Sequence, residues 1–133
     1  MAQERRDYVE RMIEELAAVV ARLVGRLGAG TPEAADEVLR DAQAAQGELL
    51  GPLAAALPQV DAQSAVALLR DSRRARAWVD LLRVEAAARR LRGEEAVALA
   101  LEARATLLDA AITAAPAAPA AGGTPTPPPT PLR

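Results

Sequence analysis

Between Tyr8 and Leu27 the chain reads YVERMIEELAAVVARLVGRL, in which Val9, Ile13, Leu16, Val20, Leu23 and Leu27 recur at alternating steps of four and three. That spacing stacks six hydrocarbon side chains on one side of a helix. Met12, Val19 and Val24 widen the stripe, and the charges Glu10, Arg11, Glu14, Glu15, Arg22 and Arg26 fill the rest of the circumference together with Ala17, Ala18 and Ala21. A helix of this length spans about 30 Å, and alone it would leave the whole stripe in water. The remaining segments are therefore expected to pack against it, with a second and a third helix approaching closely over the alanines. The excess width at Met12, Val19 and Val24 marks a candidate interface with a partner protein or a second copy.

The chain punctuates itself with helix signals. Met1 to Arg6 are polar and expected to fray, with Asp7 as N-cap of the first helix over 7–27. Gly28, Ala29 and Gly30 form a short connection. Thr31 as N-cap, Pro32 at the first helical position, and Glu33 and Asp36 near the positive end of the dipole open a second helix over 32–50. Its core positions are Ala35, Val38, Leu39, Ala42, Ala45 and Leu49. Gly51, Pro52 and Pro58 interrupt the pattern, leaving Leu53 to Leu57 as a tight turn that drops both leucines onto the core. Asp61 caps a short helix over 62–70, and Asp71 caps a long one over 72–92 carrying Ala77, Trp78, Leu81, Leu82, Val84, Ala88 and Leu91 on one arc, with Gly93 at its end. The last helix, over 94–114, opens at Glu94 and Glu95 and repeats Val97, Ala100, Leu101, Arg104, Leu107, Leu108, Ala111 and Ile112. Pro116 disfavours helix in the residue before it.

After that, PAAPAAGGTPTPPPTPLR has no periodicity and too little apolar bulk for a core, which predicts a disordered Pro/Ala-rich tail over 116–133. The fold class expected is thus all-α: an up-and-down bundle of four main helices plus one short helix in a single domain over 1–115.

Composition removes most chemistry. Every basic residue is arginine, and histidine, cysteine and lysine are missing. Ser-His-Asp and Cys-His nucleophiles, thiolate or imidazole zinc sites, Schiff-base lysines and the lysine of a phosphate-binding P-loop are all excluded. Ser64 and Ser72 sit at helix starts, where a hydroxyl serves the backbone. Glu14–Glu15 and Glu94–Glu95 are sequence neighbours that point about 100° apart on a helix and do not converge. No enzymatic activity, cofactor or metal is expected. The charged start MAQERRDYVERM is unlike a secretory signal, and no run is long and apolar enough to span a membrane, so a cytoplasmic location is expected. Arginine and alanine in place of lysine and asparagine suggest a GC-rich bacterial source by composition.

One cluster remains. Eight arginines fall between Arg70 and Arg92, and Arg73, Arg76, Arg83 and Arg90 share one side of the helix, interrupted by Asp80. Such a face is a candidate anion-binding surface for nucleic acid or another polyanion, set against a net charge of −2 and no recognisable nucleic-acid motif. Trp78 falls on the apolar arc instead, as a core residue rather than a stacking platform.

Asp7-Tyr8-x-x-Arg11-x-Ile13-Glu14-x-Leu16 resembles the start of a family of small bacterial helical proteins, a domain of unknown function whose members open D-Y-x-x-R-x-I-E-x-L. The resemblance covers the first helix and implies a helical adaptor or assembly role. Over 72–114, Trp78, Leu81, Gly93-Glu94-Glu95-Ala96, Ala100 and Ala103 resemble a single tetratricopeptide repeat. Leu82 stands where that repeat has Gly, Glu85 where it has an aromatic residue, and the turn is longer by about two residues. This second resemblance implies a peptide-binding groove beside the first helix of the hairpin. The function expected from the whole is a non-catalytic protein–protein interaction or scaffolding module, possible as a homo-oligomer, with polyanion binding through the arginine face as the alternative.

Overall fold

The computed structural model describes residues 2–114, with side chains from residue 6. The tail expected at 116–133 lies outside the described residues. Five α-helices follow in order: α1 (Ala2–Leu27), α2 (Pro32–Leu50), α3 (Ala62–Leu69), α4 (Ser72–Leu91) and α5 (Glu95–Ala114). Two 3₁₀ turns, Gly51–Leu53 and Leu57–Gln59, join α2 to α3. The all-α bundle of four long helices and one short helix is as the periodicity predicts.

Three of the expected caps form. Thr31 Oγ1 accepts from the Ala34 amide at 3.1 Å, Asp61 Oδ1 from the Ser64 amide at 2.9 Å, and Asp71 Oδ1 from the Arg73 amide at 2.8 Å. Each satisfies a donor that the first helical turn leaves free. Gly93 takes φ +83°, and the amides of Gly93 and Glu94 return to the carbonyls of Arg90 and Arg89. This is the reversal that closes α4 and lets α5 fold back on it. Arg70, expected as the last residue of α3, instead turns left-handed at φ 64° and ends the helix one residue earlier.

The N-terminus differs from expectation. α1 begins at Ala2, so Asp7 lies inside the helix and is exposed. Ala, Gln, Glu and Arg are all good helix formers, and their propensity extends the helix through the segment expected to fray.

The centre of the fold differs as well. α4, not α1, is the helix against which α1, α2, α3 and α5 all pack. It buries Ala75, Trp78, Val79, Leu81, Leu82, Val84, Ala86 and Ala88. α1 touches α2 and α4 along one edge, so only Leu16 and Leu23 are fully covered, while Val9, Ile13, Val20 and Leu27 are half-buried. Ala17, Ala18 and Ala21 are exposed rather than covered by a second and a third helix, Ala17 on the edge of the seam with α4.

In α2 every expected core residue is buried, together with Leu50. Leu57 is buried and Leu53 half-buried under the connecting turns, as expected. In α5 Leu108 and Ile112 are buried and Leu101, Arg104 and Ala111 half-buried as expected, but Ala98 and Ala105 are buried in place of Val97, Ala100 and Leu107, which are exposed. Leu91 at the end of α4 is exposed too. No helix among the described residues is long and apolar enough to cross a membrane.

Candidate functional site: two concave surfaces on opposite sides of α4

One side of α4 forms a groove with α1. Two adjoining hollows of about 300 and 190 Å³ share Val20 and Asp80 and together run the length of the α1–α4 seam. The α1 wall is Ile13, Ala17, Val20, Val24 and Leu27, and the α4 floor is Ala77, Val84 and Ala87. The wall residues step by four and three, so they line the groove as one row. Val24, expected at an interface, stands 54% exposed in it. Met12 and Val19 do not join Val24. Both are half-buried against the core, and Val19 is five residues and thus about 140° around the helix from Val24.

The arginines border the same groove. Arg73 and Arg76 line one hollow and Arg83 the other, and Arg90 continues the row beyond them. All four are paired within the chain. Arg73 meets Asp71 at 3.3 Å and Glu10 of α1 at 3.5 Å; Arg76 and Arg83 share Asp109 of α5 at 2.9 and 3.8 Å; Arg90 grips Glu95 at 3.0 Å and Glu102 at 2.9 Å. The Glu102 and Glu95 carboxylates raise the Arg90 guanidinium above its ordinary value, and the Arg90 hydrogen bond holds Glu102 low. These pairs are solvent-exposed, where such contacts contribute little. Asp80 lies exposed between Arg76 and Arg83 at the groove rim, where desolvation by its surroundings pushes its carboxyl up against the opposing pull of the two guanidinium groups.

The second concavity lies across α4, walled by α2 and α5 and closed at one end by the 3₁₀ turns. It is a cleft of about 430 Å³ over Trp78, Leu82 and Glu85 of α4, with Gln43 and Gln46 on the α2 side and Leu101 and Arg104 on the α5 side. Glu85 is a charged side chain only 8% exposed. Its Oε1 accepts from Gln46 Nε2 at 2.9 Å and its Oε2 from Arg89 Nη2 at 3.4 Å; Arg89 Nη1 continues to Glu94 at 2.9 Å. Glu94 and Glu85 raise the Arg89 guanidinium, Glu94 contributing more. At the other end Arg104 lies 5.7 Å from the centroid of the Trp78 ring and donates from Nη2 to the Leu57 carbonyl at 2.9 Å. Trp78 is core, as its position in the apolar arc predicts, and its Nε1 is closed from solvent with no acceptor among the described residues.

Sequence reasoning missed this cleft. In the sequence Glu85 stands out only as a departure from the tetratricopeptide pattern, and Arg104 falls among the core positions of the last helix. A charge inside an apolar arc was the available signal, since an ionised group is rarely buried unless paired. Among the described residues no group of three or more acidic side chains converges as a metal site. Compared with protein-family models, with curated proteins and with solved structures, the chain has no significant match in any of the three.

Proposed function

We propose that this chain is a non-catalytic protein-interaction module that receives an amphipathic helix of a partner protein in the α1–α4 groove. The observation that carries the reading is the row Ile13, Ala17, Val20, Val24 and Leu27, an apolar helix edge that α2 and α4 leave partly uncovered beside charged arginines. An apolar floor with a polar rim is the arrangement that helix-in-groove recognition uses. The same reading puts the protein in the bacterial cytoplasm, supported by composition alone.

The test is selection of helical peptides from a display library against the chain, followed by amide chemical-shift mapping. Selected peptides shift resonances of α1 and α4 around Val20 and Asp80 and lose binding to Val20→Arg. Peptides that map elsewhere, or that bind Val20→Arg as well as the parent, overturn the reading.

A homo-oligomeric scaffold is a second reading, favoured by α5. Its outward face carries Leu99 and Leu107, 55% and 59% exposed, around Ala96, Ala103 and Ala110 at seven-residue spacing. Such a face lets a second helix approach closely. Light scattering decides it: a monomer at tens of micromolar removes the oligomer, and a dimer that Leu99→Glu dissociates supports it.

A further inference from the structure

We propose that the α2–α4–α5 cleft binds a short zwitterionic peptide with apolar side chains, a dipeptide held by its ammonium at Glu85 and its carboxylate at Arg104. The site is separate from the α1–α4 groove. Glu85 is five residues from Asp80, about 140° around α4, so a ligand in one surface does not touch the other.

The two ends of the cleft have opposite charge. Glu85 is oriented by Gln46 and Arg89, which together use two acceptor positions. A carboxylate offers about four, so lone pairs are left for a further donor. Arg104 is fixed by its bond to the Leu57 carbonyl and by the Trp78 ring beneath it. A guanidinium carries about five N–H donors, so it too retains capacity, in a flat array matched to a carboxylate. Both groups are therefore preorganised rather than merely present, which lowers the ordering cost of binding.

Length selects the ligand class. Trp78, under the Arg104 head, and Glu85 are seven residues apart on α4, about 10 Å along its axis. After a hydrogen-bond distance of about 3 Å at each end, about 4–5 Å is left for the ligand's own ammonium-to-carboxylate span, which a dipeptide approaches and an extended tripeptide, longer by about 3.3 Å, overshoots. Between the ends the lining is Leu50, Leu82, Leu101 and Pro58, a surface for hydrocarbon side chains. Gln43 and Gln46 flank it with amides that suit a peptide backbone. The volume of about 430 Å³ lies within the ordinary range for small-ligand sites.

The chain supplies its own reporter, because Trp78 is its single tryptophan. The full chain is titrated with dileucine, free and end-blocked, following Trp78 fluorescence and heat. Saturable binding of the free peptide is expected, weakened at least about tenfold by N-acetylation and separately by C-amidation, since each removes one charged hydrogen-bonded contact. Arg104→Gln is expected to weaken the free peptide but not the amidated one, and Glu85→Gln the free peptide but not the acetylated one. If either variant fails to fold, the end-blocked peptides on the parent chain decide alone. No saturable signal at about 10 mM peptide, or equal affinity for free and end-blocked peptides, overturns the proposal.

Discussion

Gln46 of α2 donates to Glu85 of α4 at 2.9 Å across 39 residues of sequence, and this bond lies on the floor between the two helices. It ties an ionised group that the fold has largely withdrawn from water to a neutral amide, with Arg89 supplying the compensating charge. Removing the carboxylate strands the Gln46 amide and leaves Arg89 with Glu94 alone. Glu85→Ala is expected to cost about 3 kcal/mol, in the range for breaking a buried pair, and Gln46→Ala about 1 kcal/mol, the ordinary worth of one hydrogen bond. Urea denaturation of both singles and the double measures the coupling. If the double mutant costs the plain sum of the singles, the two side chains act independently and the bond is not the tie described.

The contact between α1 and the rest is concentrated at two leucines. Leu23 is fully buried and Val24 beside it is exposed. Leu23→Ala is expected to lose about 2–5 kcal/mol, and Val24→Ala less than about 0.5 kcal/mol, as for a surface change. Comparable losses for the two, read from denaturation midpoints, contradict the packing of α1.

Two aspartates respond to acid in opposite directions. Asp61 is held below its ordinary value by the Ser64 hydrogen bonds, so its contribution is present above about pH 3.8 and is lost as pH falls through its folded value. Asp80 is raised by desolvation, so its ionised form opposes folding at neutral pH, and the relief comes as pH falls through its folded value and is complete below about pH 3.8. Asp61→Ala is therefore expected to lower the melting temperature at pH 7 by more than it does at pH 3. Asp80→Asn is expected to raise it at pH 7 and to leave it unchanged at pH 3. Melting curves at both pH values check the two signs.

The arginine row is occupied by its own acids. A fluorescent DNA duplex in low-salt buffer is expected to show no anisotropy change with the parent chain, because Asp109, Glu95 and Glu102 hold Arg76, Arg83 and Arg90. Binding that falls steeply as salt is raised would restore the polyanion reading, since released counterions drive such a slope.

The parts of this fold legible in the sequence are those decided within a few residues. Thr31, Asp61 and Asp71 are readable as caps because the amides they satisfy lie two or three positions ahead. Gly93 is readable because the turn it allows needs a left-handed residue at that point. In α5 Leu108 and Ile112 are legible as core, but alanine and leucine occur on every side of the helix, and choosing Ala98 and Ala105 over Val97 and Leu107 depends on how closely α4 approaches. The site follows the same division. The arginine row shows in the spacing of α4, but its pairing with Asp109 and Glu102 arises only once α5 is folded back. Glu85 is opaque in sequence because its partner Gln46 sits on another helix.

Because α4 is embraced by four neighbours while α1 rests by one edge on α2 and α4, stability is distributed unevenly along the chain. Amides of α1 should exchange with deuterium through a partial opening that leaves α2 to α5 intact, and those of α4 only through global unfolding. The first helix is then a detachable hem on a four-helix block, and a partner that seats beside Val20 and Val24 would stitch it down.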